Sequence, residues 1–209
     1  MRHLIRPAAL AVAAGALLFA GGVVARAQMT TTPSEVRAGT YVLDSEHGKI
    51  TWSVDHLGLS TYYGQFVNVA AELTLDPANP ANSRLTATVP LTDVDSNSDG
   101  LDNHLQTADF FDTANHPTAT FVATSIVVDR DDPTEAEVTG ELTLRGVTRP
   151  VTMDVEFNAA GEFRGQYKVG FDGEATIRRS EFGINYALPA IGDEVELHLE
   201  GEFVLQPAG

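Results

Sequence analysis

The sequence predicts an all-β fold, an eight-stranded antiparallel up-and-down barrel with one short helical insert around residues 99–109. Three observations carry that expectation. Most of the chain alternates apolar and polar residues with a period of two, the mark of strands that bury one face. Short turns of Gly, Asp, Asn and Pro join the alternating runs, with no linker and no repeat between them. The alternation lapses once, in Asp95–Phe121, where polar and acidic residues cluster. A sheet of this size with one apolar face must cover that face with a second sheet or close on itself. Hairpin-by-hairpin order favours closure, and eight strands leave room inside for one small ligand. A Greek-key sandwich is the competing arrangement.

The first 27 residues read as a signal peptide, with Arg2 and Arg6 ahead of the apolar run Ala8–Val24 and a small-x-small site at Ala25-Arg26-Ala27. Residues 28–39 form an expected flexible lead-in, and residues 40–206 a single barrel domain. The first strand carries Ile50, Trp52, Val54 and His56 on one face, and a turn follows over Leu57–Gly64. Val67, Val69, Ala71, Leu73 and Leu75 mark the second strand, and Leu85, Ala87, Val89 and Leu91 the third. In the insert, Leu101, Leu105 and Ala108 fall at helical spacing, with Ser98 or Asp99 as the cap. Such a lone helix is expected to cover one end of the barrel. Thr118–Val128 is the fourth strand, apolar on parts of both faces. Val138, Gly140, Leu142 and Leu144 give the fifth, turning at Arg145-Gly146, and Val151, Met153, Val155 and Phe157 the sixth, turning at Ala160-Gly161. The seventh runs through Phe163, Gly165, Tyr167, Val169 and Phe171, and the eighth through Val195–Leu205. Gly140, Gly165, Gly170 and Gly201 stand within strands, where glycine marks the bends that closure needs.

Removing the leader takes Arg2, Arg6 and Arg26 with it and leaves 10 basic against 29 acidic residues, a net charge of −19. That field repels nucleic acid and anionic membranes, so neither is an expected partner. No later stretch is long and apolar enough to be an integral membrane segment. With no Cys there is neither disulfide nor thiol chemistry. Asp95-x-Asn97-x-Asp99-Gly100 opens like a calcium loop, but its twelfth position is Gln106, which supplies no bidentate carboxylate. No two histidines stand at a zinc-ligand spacing, so no metal is expected. No cofactor is expected either, because phosphate loops and dinucleotide fingerprints are absent.

Several motifs together are similar to one known family. They are His47 with Trp52-x-Val54-x-His56-x-Gly58 and Gly64-x-Phe66; Asp95 with Asp102-Asn103-His104-Leu105 and Ala108-Asp109-Phe110-Phe111-Asp112; and His116-Pro117-x-x-Thr120-Phe121. Gly140–Val151, Arg179-Ser180-Glu181-Phe182-Gly183 and Gly192-Asp193-Glu194-Val195 complete the set. In order and spacing they resemble the YceI-like proteins across residues 41–205. The resemblance implies a lipocalin-like barrel in the periplasm holding a polyisoprenoid, prenyl quinone or fatty-acyl amphiphile, with no catalysis, and it leaves a homodimer open. Leu101 replaces the family's usual Arg, and Gly48 its usual Ser. Residues expected at the ligand are Trp52, Val54, His56, Phe66, Asp102, His104, Phe110, Phe111, Phe121, Arg179 and Phe182.

The residues themselves leave some roles open. His56 shares a face with Trp52 and Val54, and either meets a headgroup or braces the barrel end. Asp102 and His104, two apart on a helix, diverge and are expected to fasten the helix rather than act as a pair. Arg179 is expected to pair with an acid at the rim, yet it is the best cation for a headgroup. Two other readings stand beside the lipid holder: an interaction module with a filled barrel, and an acid–base enzyme using His56, Asp102 and His104.

Overall fold

The computed structural model describes residues 29–207; the expected signal peptide lies outside them. β1 (Met29–Thr30) is a short strap ahead of the barrel. Three of the eight barrel strands are bent into two hydrogen-bonded pieces. β2 (Gly39–Leu43) and β3 (Lys49–His56) make the first, β4 (Ser60–Phe66) and β5 (Ala70–Leu75) the second, and β6 (Arg84–Pro90) and β7 (Val94–Asp95) the third. Helix α1 (Asp99–Leu105) follows, then β8 (Thr118–Val128), β9 (Glu135–Leu144), β10 (Val147–Phe163), β11 (Gln166–Arg178) and β12 (Ile191–Leu205).

Every pairing is antiparallel, and each strand pairs with the next in sequence. The ring runs β2, β5, β6, β8, β9, β10, β11, β12 and back to β2. β12 makes the closing seam twice over. Its C-terminal half lies on β2, with Phe203 opposite Leu43, and its N-terminal half on β3, with Val195 opposite Val54. We call the end carrying α1, the β3–β4 turn and the β9–β10 turn the upper end, and the opposite end the lower one. The interior is apolar throughout. Trp52, Phe66, Leu105 and Phe182 cluster above, Phe121, Val138 and Met153 at mid-height, and Tyr41, Phe157, Val169 and Phe203 below.

Several local expectations are corrected. The turn after β3 is confined to residues 57–59, and Ser60–Phe66 is a strand without an apolar alternation. Its Gly64 is opposite Trp52, whose ring lies where a side chain would go: a Cβ there would sit 2.1 Å from the indole. The β10–β11 turn is Arg164-Gly165, both at positive φ, and not Ala160-Gly161; Ala160 is buried within β10, which bulges between Phe157 and Ala159. Phe163 is therefore exposed and Gly165 sits in the turn. β8 has a bulge between Ala123 and Ser125, which swaps its faces and explains its apolar residues on both sides. The helix ends at Leu105. Ser98 stands at the cap position without a side-chain cap bond, and Ala108 lies beyond the helix, exposed.

The expected loose lead-in is attached. Met29 and Thr30 pair with Gly161 and Ala160 of β10, and Val36 is buried among Tyr41, Phe157 and Tyr167. Tyr41 is fully buried, and its hydroxyl donates to the Arg37 carbonyl at 2.5 Å. Burial pushes this phenol up to about 12, so it stays a donor at any working pH.

At the bend between β2 and β3, Lys168 Nζ donates to Asp44 Oδ2 and Glu202 Oε2, both at 2.9 Å, while His47 Nδ1 lies 3.0 Å from the same Asp44 oxygen. Asp44, His47 and Glu202 are the one trio among the described residues close enough to hold a metal, and the ammonium already bridges its two carboxylates. The Lys168 hydrogen bond holds Asp44 below its ordinary 3.8, and the two carboxylates hold Lys168 above its ordinary 10.5. Their contribution is complete between those values. It is lost as pH falls through the depressed carboxyl or rises through the elevated ammonium.

Two substitutions test this description. Gly64→Ala must displace Trp52 and should cost about 1–3 kcal/mol in urea unfolding; an unchanged midpoint would contradict the close approach. Lys168→Met should cost about 1 kcal/mol at pH 7, with the loss shrinking below pH 3.8. Unfolding at both pH values reads this, and a loss independent of pH would assign it to lysine's alkyl stem instead.

Candidate functional site

The barrel is not filled by its own side chains. A cavity of about 380 Å³ occupies its lower part, and a second of about 160 Å³ lies beneath α1. Ile50, Val89, Leu142 and Leu197 border both, so the two chambers adjoin across these aliphatic side chains. Volumes of this order suit a small amphiphile, and the size of the lower chamber falls within the usual range of ligand pockets.

Six of the residues expected at the ligand line the upper chamber: Trp52, Val54, Phe66, Phe110, Phe111 and Arg179. Alternation on β3 turns Trp52 and Val54 inward, and the chain leaving α1 turns back to place Phe110 and Phe111 over the barrel end. Phe111 tilts against Phe66 with ring centroids 5.7 Å apart. Phe121 lines the lower chamber and reaches diagonally across Gly140, where a Cβ would come within 2.3 Å of its ring. The other four residues lie outside both linings. Phe182 is core, 1% exposed. His56, at the end of β3, is half-buried beside Tyr62, 6.4 Å between centroids. Asp102 Oδ1 accepts from Ser96 N at 2.8 Å and Ser96 Oγ at 2.5 Å, tying α1 to the strand before it. His104 lies 3.0 Å from Asp109 and stands edge-on to Phe110 and Tyr186. His56, Asp102 and His104 thus serve different neighbours and do not converge. Leu101, where the family's arginine is expected, packs against the upper apolar cluster.

Arg179 overturns its expected pairing. It is 6% exposed, and its donors go to backbone carbonyls: Nε to Gly192 at 2.7 Å, Nη1 to Ile184 and Tyr186 at 3.1 and 2.9 Å, and Nη2 to Ile191 at 2.8 Å. It therefore gathers the loop between β11 and β12 over the upper chamber. Burial lowers its pKa, opposed by Asp193, whose carboxylate accepts from Ser180 N and Oγ. Arg145 does a similar task that its place in a hairpin turn did not announce. It donates to the Gly183 carbonyl and, at 2.7 Å, to that of Ala108, clamping the insert to the same loop. Every residue lining the upper chamber is buried or half-buried. One buried donor there has no partner among the described residues, Trp52 Nε1.

The comparisons with known proteins agree with this geometry. The sequence profile of the YceI-like domain matches residues 41–203. The chain belongs to the YceI-like family. Protein YceI of Escherichia coli O17:K52:H18 is 38% identical over 172 residues, 81% of this chain and 88% of its relative. A UPF0312 protein of Pseudomonas aeruginosa (strain LESB58) is 36% identical over 178 residues, 84% of this chain and 92% of that protein. Among solved structures, a Campylobacter jejuni YceI protein superposes with a TM-score of 0.63 at 28% identity, covering 73% of this chain and 90% of that one. The fold also matches a polyisoprenoid-binding domain from Saccharophagus degradans, with a TM-score of 0.59 at 11% identity, covering 81% of this chain and all of that domain. No helix among the described residues is long and apolar enough to cross a membrane.

Arg179→Met should leave four carbonyls without their donor and cost on the order of 2–4 kcal/mol in urea unfolding, with faster amide exchange confined to residues 184–192. A loss below about 1 kcal/mol would show that the loop is held by other contacts.

Proposed function

We propose that this protein is an exported, periplasmic binding protein that holds a long apolar amphiphile inside its barrel and carries out no reaction on it. The observation that carries this reading is the interior itself, two adjoining chambers lined almost wholly by aliphatic and aromatic side chains. Apolar surface withdrawn from water stabilises a complex by roughly 25 cal/mol per Å², so each 100 Å² of ligand tail contributes about 2.5 kcal/mol before the cost of association. A chain of isoprene or methylene units meets that environment along its whole length, which fits a polyisoprenoid, a prenyl quinone or a fatty-acyl compound.

Family membership and the leader-like first 27 residues support the location. A filled interaction module does not suit a barrel with this much unfilled volume. Nor do His56, Asp102 and His104 form the convergent group that acid–base work on a lipid requires.

The test is mass spectrometry of the protein expressed with its leader and purified from the periplasmic fraction, first under native conditions and then after denaturation in organic solvent. One apolar species per chain should be released on denaturation. Protein that arrives empty and takes up neither a prenyl quinone nor a fatty amide would overturn the reading.

A further inference from the structure

The upper end carries an exposed apolar surface that neither the core nor the cavity accounts for. The turn between β3 and β4 presents Leu57 and Leu59 to solvent. The loop between β11 and β12 lies beside it, with Leu57 N donating to the Ala190 carbonyl at 2.9 Å. Leu57, Leu59 and Tyr63 on the hairpin and Tyr186 on the loop are 47–82% exposed, Leu59 most of all. None of the four borders either chamber.

The composition here departs from the rest of the chain. Residues 56–64 and 182–192 hold no Asp, Glu, Lys or Arg, in a protein with 29 acidic residues. Acids at the border are turned to partners within the protein. Asp55 Oδ2 accepts from Gly58 N at 3.0 Å, Asp109 lies 3.0 Å from His104, and Asp193 accepts from Ser180. Exposed Glu181 is the one acid flanking these segments that has no such partner among the described residues.

The turn itself has two features that its fold does not require. Leu57 stands at φ 63° and Gly58 at 66°, where asparagine and glycine sit far more easily than a branched side chain. Local backbone geometry therefore gives no reason for an exposed leucine at this position. All three N–H groups of the tip are also engaged within the protein: Leu57 with Ala190 O, Gly58 with Asp55, and Leu59 with His56 O at 3.0 Å. A backbone donor can enter a lipid layer only if it is already bonded, because nothing there replaces water.

Shape and size indicate what meets this tip. Leu59 stands clear of its neighbours, and a Cβ on Gly58 would meet nothing within 4 Å, so the tip is convex. At ~200 Å² per large side chain the four residues offer roughly 500 Å², short of the ~800 Å² that each partner gives to a specific protein interface. A narrow apolar tip with tyrosines set back from it suits the interfacial layer of a bilayer, where leucine reaches the acyl boundary and tyrosine sits among headgroups. The acidic chain as a whole is repelled by anionic lipid, which leaves a zwitterionic surface.

We propose that the β3–β4 turn is a membrane-docking tip that seats the upper end of the barrel on a zwitterionic phospholipid surface. Leu57 and Leu59 enter the interface, and Tyr63 and Tyr186 lie at the level of the headgroups. Docking does not depend on what the barrel holds, so the lipid-holding reading stands or falls separately.

Sedimentation with phosphatidylcholine vesicles tests it, using protein purified from the periplasmic fraction. The wild type should bind them, and at low salt it should bind an equal mixture of phosphatidylcholine and phosphatidylglycerol at least about three-fold more weakly. The Leu57→Asn, Leu59→Ser double variant changes two exposed side chains outside both chambers, and asparagine relieves the positive φ. It should keep the wild-type melting temperature and lose at least about ten-fold in vesicle affinity. Because the chain has no Cys, a nitrobenzoxadiazole label can be placed at Leu59→Cys or, at the lower end, at Asp131→Cys. Vesicles should shift the emission of the first to the blue and leave the second unchanged. Equal binding by the double variant, tighter binding to the anionic mixture, or a blue shift at residue 131 alone would overturn the proposal. Failure of the wild type to bind vesicles would overturn it too, and a dimer that the double variant then loses would assign the tip to a second copy of the chain.

Discussion

β12 pairs with β11 along one edge and, along the other, with β2 at the lower end and β3 at the upper, and this double seam turns eight strands into a closed wall. Closure fixes the inward face of every strand, because an antiparallel wall with no free edge allows no register slip. It also leaves an interior wider than its own side chains can fill. Glycines admit the largest rings: Trp52 lies over Gly64 and Phe121 over Gly140, so aromatic bulk is drawn against the wall and the axis stays open. The cavity follows from how the wall is packed and does not come from missing side chains.

An acidic chain has few cations, and this one uses three of them to hold structure. Lys168 secures the bend where the seam changes partner. Arg145 ties the helical insert to the 3-10 turn Arg179–Phe182, and Arg179 gathers the loop after that turn. The guanidinium groups donate to carbonyls, which suits their fixed fork of donors, and the ammonium bridges two carboxylates as a point charge. The consequence for ligand chemistry is direct. A cation engaged by several backbone carbonyls in a buried site is not offered to a headgroup.

Much of this was legible in the sequence. Period-two alternation found the apolar strands, and the positive-φ demand of a tight turn found Arg145-Gly146. The lapse of alternation located the insert, and of the three residues at helical spacing Leu101 and Leu105 do face the upper cluster while Ala108 does not. What stayed hidden has physical causes. Ser60–Phe66 has a small residue where Trp52 needs space, so its inward face reads as polar and turn-like. The bulges in β8 and β10 add one residue each and invert the face of everything beyond them. Arg179 was read as a rim cation because long-range hydrogen bonds to carbonyls carry no local signature.

The central claim is that the interior volume exists to be occupied by a lipid tail. It is tested most directly by measuring prenyl quinone binding to the wild type and to Ala71→Phe, which places a ring in the lower chamber from a wall position. Ala71→Phe should melt at or above the wild-type temperature, since it fills empty volume, and should no longer bind the quinone. Undiminished binding by a stably folded Ala71→Phe would contradict it.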